Sequence, residues 1–227
     1  MSVGAARLRE AAADFRFLLG RGYPAETSLT LVGNRHTLPA LERDLLRRSV
    51  VAPRVAEARR ARLVPLTDLA GKPLAVDGHN QLISLETALR GGPLVAADDG
   101  VVRDVARAAA GYRPSEATGE ALSLLLAAIA LAKPSTTLFL FDAPVPHSGE
   151  LAALTRARLA EANLPGEART APYPEAEIEG YPGVVATADG GLIERCAQAI
   201  DLAGGVIRAR FPQLVISLEA KREKEEA

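Results

Sequence analysis

Three aspartates in this chain each close a short apolar run. Asp77 follows Leu74-Ala75-Val76, Asp142 follows Leu138-Phe139-Leu140-Phe141, and Asp189 follows Val184-Val185-Ala186-Thr187-Ala188. An apolar run ending in a carboxylate is how a buried strand hands over to a functional loop, and in an open parallel sheet ligands bind outside the carboxyl ends of the strands. Three such strands would bring three carboxylates to one rim. Like charges repel there, so the site wants a cation. Oxygen donors without thiol or imidazole partners favour hard ions, Mg2+ or Mn2+. Such an ion activates a water and neutralises charge on a phosphoryl oxygen, which suits phosphodiester hydrolysis. Each Asp also has a plainer reading. Asp77-Gly78 is a turn signal, Asp142 before Ala143-Pro144 starts a loop, and Asp189 caps a following helix. Taken singly these readings balance the functional one. All three at strand ends in one domain tip the reading towards a site.

Other polar residues are candidates for the same rim. Asn80 sits just past Asp77, where it would orient that carboxylate or bind a phosphate. Glu86 lies roughly two turns into the next helix, reaching either the site or solvent. Asp98, Asp99 and Asp104 cluster with Arg103; capping explains one of the adjacent pair and an i,i+4 surface pattern absorbs the others. His79 and His147 flank two of the key aspartates, and lone histidines of this kind are more often loop hydrogen-bonders than catalysts.

To position that rim, the chain alternates strands and helices from Leu74 onward. Strands are expected near residues 74–77, 137–141, 168–171, 184–187 and 206–209, with an edge strand at 214–218. Helices are expected at 81–89, 101–110, 115–133 (apolar almost all round, hence buried), 149–163 and 190–203, and residues 172–182 read as an acidic, Pro-rich loop. Alternation of this kind implies a mostly parallel sheet covered on both faces, a three-layer α/β/α Rossmann-like domain over residues 72–218. Residues 1–66 form a small all-α bundle, helical at 5–19, 25–32 and 38–50, with Thr37 as an N-cap and a basic connector from Pro53. It is compatible with a helix-turn-helix. Residues 219–227 are a charged tail.

A net charge of −1 hides an asymmetry. Residues 1–66 carry 12 Arg and no Lys against 6 acids, a balance of +6. The remainder carries 15 basic residues against 22 acids, a balance of −7. A basic segment beside an acidic one suits a polyanion-gripping module joined to a metal-binding domain; biased usage on solvated helix faces explains it equally well. Arg35 is singled out as a nucleic-acid contact because Gly33 and Asn34 tolerate positive φ and would hold it in a defined direction. One cysteine, Cys196, excludes an internal disulfide and argues against a zinc site. The longest apolar stretch, 121–132, is too short to span a bilayer, no leader-like start is seen, and a soluble cytoplasmic protein is expected. No Gly-x-Gly-x-x-Gly follows a strand, which disfavours a dinucleotide enzyme.

Val76-Asp77-Gly78-His79-Asn80, Phe141-Asp142 and Ala186-Thr187-Ala188-Asp189 resemble the active-site segments of the PIN-like nuclease superfamily, especially its NYN branch. The resemblance covers roughly Leu74 to Ala209. It implies a Rossmann-like fold that cleaves RNA with Mg2+ or Mn2+, with Asp77, Asp142 and Asp189 as catalytic metal ligands. Asn80 and Thr187 would support them. Apart from the resemblance, the residues themselves offer Asp99, Asp104 and Glu86 as further supporting acids and Arg103 as a second nucleic-acid contact. Leu18-Leu19-Gly20-Arg21-Gly22-Tyr23-Pro24 and Leu31-Val32-Gly33-Asn34-Arg35 resemble an uncharacterised prokaryotic family in which a small helical N-terminal domain precedes such an α/β domain. One departure stands out. The acid that many PIN-like enzymes carry on a helix before the last site strand has no match, its place being taken by Glu175 to Glu179. Either Asp98, Asp99 and Asp104 replace it, or the site is incomplete and the fold binds RNA without cutting.

A metal-dependent ribonuclease is therefore the first expectation, a non-catalytic RNA-binding or ribonucleoprotein-associated module the second, and a small-molecule phosphohydrolase the third. RNA is the expected partner, and a homo-oligomer is allowed. A strongly basic N-terminal segment has little purpose for a small substrate, which orders the last two.

Overall fold

The computed structural model describes residues 3–105 and 112–219. Four helices lead: α1 (Val3–Gly20), α2 (Ala25–Arg35), α3 (Ala40–Ser49) and α4 (Pro53–Arg60). Leu8, Ala12 and Phe15 share one face of α1 at spacings of three and four, and they pack with Leu29, Val32, Leu45 and Leu46. That core does not close on the helices alone. Val95, Val105 and Leu218 from the second half of the chain complete it, and Arg16 of α1 makes a two-pronged bond to Asp98 at 2.7 and 2.8 Å.

The α/β part runs β1 (Pro73–Asp77), α5 (Gly78–Leu89), β2 (Leu94–Ala96), β3 (Val102–Asp104), α6 (Glu116–Ala132), β4 (Thr136–Asp142), α7 (Ser148–Glu161), β5 (Gly166–Ala171), α8 (Pro174–Glu179), β6 (Val184–Ala186), α9 (Gly190–Arg195), β7 (Gln198–Ile200), α10 (Leu202–Arg210) and β8 (Val215–Ser217). Five strands form one parallel sheet in the order β5-β4-β1-β6-β7. From β1 the chain walks outward through β4 and β5, then returns to the other side of β1 for β6 and β7. The direction reverses between β1 and β6, which is where an open α/β sheet binds its ligand. Period-two alternation sorts the strands' side chains. Val76, Phe139 and Phe141 face α5, α6, α7 and α10, whereas Ala75, Leu140 and Val185 face α8 and α9. The result is the three-layer α/β/α arrangement.

Several local expectations are corrected. Residues 101–105 are not helical: Val102–Asp104 pairs antiparallel with β2, and β8 adds parallel to β2, making a separate three-stranded sheet. The rest of the helix expected there lies outside the described residues, as does the tail beyond Glu219. The helix expected over 190–203 is α9, β7 and the start of α10. Strand pairing with β6 buries Ala199 and Ile200 and overrides the helix propensity of the segment, and Asp201, accepting from Gly204 N at 3.0 Å, starts a new helix. The strand expected at 206–209 therefore lies inside α10. Residues 172–182 contain α8 rather than loop alone, with Pro174 opening the helix. Helix α6 forms an outer layer with an exposed stripe, Leu131 being 78% accessible. Thr37 is not an N-cap; it takes the positive φ of the turn, 51°, and Pro39 precedes α3.

Gly33 and Asn34 lie within α2, and the arginine they serve is Arg43, not Arg35. A Cβ at Gly33 would run into the Arg43 guanidinium, which also donates to Asn34 Oδ1 at 2.9 Å.

The connector between the two parts is itself paired. Val64 N donates to Ala199 O at 2.8 Å and Ala199 N donates to Arg62 O at 2.9 Å, so residues 62–64 lie parallel along β7.

Candidate active site

Asp77 is the last residue of β1 and stands at the N-cap position of α5, which follows it directly. The Asp-Gly pair is not a surface turn: a Cβ on Gly78 would strike the Phe141 ring, so glycine lets α5 start against β4. The Asp77 carboxylate accepts from Thr187 Oγ1 at 3.0 Å. That hydroxyl, fully buried, in turn accepts from Asp189 N at 3.1 Å. One hydroxyl donating to a carboxylate and accepting from an N–H has a single orientation, so Thr187 locks the end of β1 to the end of β6. Burial pushes Asp77 up to about 7, and the negative charges of Asp142 and Asp189 add to the effect. The bonds from Thr187 and the Asn80 backbone work the other way.

Asp142 ends β4. His79, in the first turn of α5, places Nδ1 2.8 Å from its Oδ2 and 3.1 Å from its backbone N; with a proton on Nδ1 the ring donates to the carboxylate, and without one it accepts from the backbone N–H. That bond holds Asp142 below the usual carboxylate range, against the opposing pull of burial. The imidazole is 5% exposed and packs edge-on against Phe141 and Tyr112 at 5.3 and 5.4 Å. His79 is thus no loop residue but an α5 side chain that holds the Asp142 carboxylate in place, and its position two residues after Asp77 was the signal for it. His147, by contrast, reaches the exposed Glu150.

Asp189 caps α9, accepting from Leu192 N at 2.7 Å, as its plainer reading has it. It also stands beside Asp77, close enough to raise it. Asn80 Oδ1 accepts from Ala188 N at 2.8 Å and thereby fixes the loop that carries Asp189. Gln81 does the same for α10 through Ala203 N, at 2.8 Å.

The remaining candidates divide. Glu86 is 1% exposed and accepts from Tyr112 at 2.7 Å, Thr118 at 2.7 Å and Arg90 at 2.8 Å, which engages it with α6 and its approach. Asp99 is fully buried between Arg103, at 2.8 and 2.9 Å, and Arg59, at 2.8 Å. Burial works to raise it, but the two guanidinium groups outweigh burial and hold it below the usual range. Arg103 spends further donors on Ala188 O and Arg48 O. The pair therefore ties α3, α4 and the β2–β3 hairpin to the loop after β6. Arg35 ends α2 and pairs with Asp14 at the surface. In α8, Glu177 pairs with Arg169 and Glu179 with Arg195.

Beside the rim opens a cleft of about 290 Å³, lined by Arg47, Arg48, Arg59 and Arg103 together with Asp104 and Asp189. These residues come from distant parts of the sequence, and no local pattern announces their meeting.

Among the described residues no group of three or more His, Cys, Asp or Glu side chains forms a ready ligand shell. Mg2+ does not require one, because it keeps several waters and is typically held by one or two carboxylates plus substrate phosphate. Hard oxygen donors at Asp77 and Asp142, with an excess of negative charge around Asp77, fit such an ion.

Residues 66–205 match the family model described as Domain of unknown function (DUF5616), and residues 7–62 match that described as Protein of unknown function (DUF434). The chain is 30% identical over 197 residues to the Uncharacterized protein MJ0935 of Methanocaldococcus jannaschii, a match covering 86% of this chain and 94% of that one. No solved structure matches the chain. Among the described residues no helix is long and apolar enough to cross a membrane.

Proposed function

The chain belongs to the family described as Domain of unknown function (DUF5616), and for this member we propose a divalent-metal-dependent phosphodiesterase that hydrolyses RNA at the rim of Asp77, Asp142 and Asp189. One observation carries the reading: these carboxylates stand at the ends of β1 and β4 and just past β6, around the point where the sheet reverses direction, and next to an arginine-lined cleft. Asp77 and Asp142 would hold the ion, with Asp189 close by. The ion would supply an activated water and neutralise charge on the phosphoryl oxygens.

The protein's own groups prepare that site. Thr187 fixes the Asp77 carboxylate, and the bond to His79 positions Asp142 and favours its anion. Asn80 holds the loop from which Asp189 projects. The arginines offset the repulsion between a phosphate backbone and the acidic rim. Hydrolysis adds water across one phosphorus–oxygen bond, giving a phosphate on one fragment and a hydroxyl on the other.

The test is end-labelled RNA, single-stranded and structured, incubated in Mn2+ and in EDTA, with Asp142→Asn alongside. Metal-dependent products that the variant fails to make are expected, the rate falling at least about a hundredfold. Cutting by Asp142→Asn at the wild-type rate would sink the reading. The second reading, an RNA-binding module without turnover, is favoured by the engagement of Glu177 and Glu179 in ion pairs, which leaves the position of the expected additional acid without a free carboxylate from either. Binding with no products in any divalent metal would select it.

A further inference from the structure

We propose that the cleft between α3, α4 and the rim is a ribonucleotide subsite, in which Arg47 and Arg48 take a phosphate and Asp104 accepts a hydrogen bond from the ribose 2′-hydroxyl. The assignment deepens the proposed function and rests on it for the choice of an RNA strand as ligand. It does not need the rim to cut.

The volume, about 290 Å³, suits one nucleotide unit. The charge of the lining is lopsided, four arginines facing Asp104 and Asp189. Two of the four are committed: Arg103 to Asp99, and Arg59 to Asp99 and Glu194. Their charge is answered by those carboxylates, and they form the fixed wall of the cleft. Arg47 and Arg48, in the last turn of α3, are exposed. Arg47 pairs with Glu26, itself 76% exposed, and more distantly with Asp44. Arg48 meets Asp104 through its charge. These two are free to turn towards an anion.

Asp104 supplies the independent observation. It is 8% exposed and lines the cleft beside Ser84, whose hydroxyl reaches the same carboxyl, and its Oδ1 is buried with no hydrogen-bond partner among the described residues. A buried acceptor left empty is costly and rare. A simple anion cannot fill it, because an acceptor needs a donor. A ligand that meets both the arginines and this carboxylate carries negative charge and, a few ångströms away, an O–H or N–H group. A nucleotide has both. The 2′-hydroxyl is the donor that RNA has and DNA lacks. Asn80 and Asp189 line the same cleft, so a strand seated there continues directly onto the carboxylate rim.

The test is binding by the full chain in EDTA, where metal-dependent cleavage is silent. The probes are fluorescein-labelled single-stranded RNA and DNA of one sequence, read by anisotropy. RNA is expected to bind about tenfold more tightly than DNA. Arg48→Glu, an exposed substitution that threatens no packing, should weaken both about tenfold and flatten the salt dependence. Asp104→Ala, checked for folding by its thermal melt, should weaken RNA alone and erase the preference. Equal binding of RNA and DNA by the wild type, or an Arg48→Glu protein that binds as before, would overturn the proposal. So would displacement of the RNA by an equal concentration of a free nucleoside monophosphate, which would make the occupant a small molecule. Failure of cleavage in Mn2+ with this pattern intact would remove the nuclease reading and leave the subsite standing.

Discussion

Asp77→Asn is expected to abolish RNA cleavage and, at the same time, to make the protein harder to unfold above neutral pH. The two effects have one cause. In the folded protein Asp77 ionises only at about 7, against an ordinary carboxylate value of 3.8, because burial and the charges of Asp142 and Asp189 disfavour its anion. The folded state therefore holds that proton more tightly than the unfolded chain does. As pH rises from about 4 to about 7 the unfolded chain gains from ionising first, and stability drains away; above 7 the loss is complete and constant. The amide of Asn cannot ionise, and its oxygen still accepts from Thr187. The variant should gain about 2–4 kcal/mol at pH 8, or roughly 5–10 °C in melting temperature, and the gain should shrink towards nothing near pH 4. Thermal melts of both proteins across that range would check it. Mn2+ should raise the melting temperature of the wild type at pH 8 and leave the variant unmoved. A residue placed for packing would do the reverse, losing stability when changed. A variant less stable than the wild type at pH 8 would show that Asp77 is not held against its preference.

Asp99→Ala should be the most damaging single change among the polar residues. Its carboxylate is fully buried and answers two guanidinium groups, Arg103 and Arg59. Removing it leaves Arg103, 7% exposed, as a buried charge without its partner. Breaking such a pair costs about 3–5 kcal/mol, which is roughly a 10 °C fall in melting temperature for a chain of this size. Urea denaturation would measure it. A loss under about 1 kcal/mol would mean that water reaches the guanidinium groups and that the pair is a surface bridge. Because the three groups come from α4, the β2–β3 turn and β3, the same change should loosen the wall of the arginine cleft and weaken RNA binding.

The sequence made the rim legible because its signals are local. Each aspartate touches the apolar run that becomes its strand, and strand alternation with helices dictates the sheet. Thr187 and Asn80 were readable for the same reason, lying within three residues of Asp189 and Asp77. What stayed hidden depends on partners far along the chain. Arg59 meets Asp99 and Glu194, and nothing near any of them in sequence indicates the others. The stretch 190–203 reads as one helix because only pairing with β6 breaks it at residues 198–200; Asp201, a capping residue ahead of Leu202, was the available clue. Gly33-Asn34 reads as a positive-φ turn directing Arg35, but both residues lie within α2, and the side chain Gly33 makes room for, Arg43, arrives from α3. Asp99 and Glu86 looked like rim acids by type, whereas burial beside Arg103 and Tyr112 commits them to holding elements together.

The short run Arg62–Val64 lies along β7 and covers that edge of the sheet. A parallel sheet with a bare outer strand offers a row of unpaired N–H and C=O groups to any passing copy, and natural proteins cover or charge such edges. Here the cover is the connector itself, and it comes from the basic side of the chain. The α/β half cut free at Leu66 would expose that edge, so the connector that joins the two parts also closes one side of the sheet.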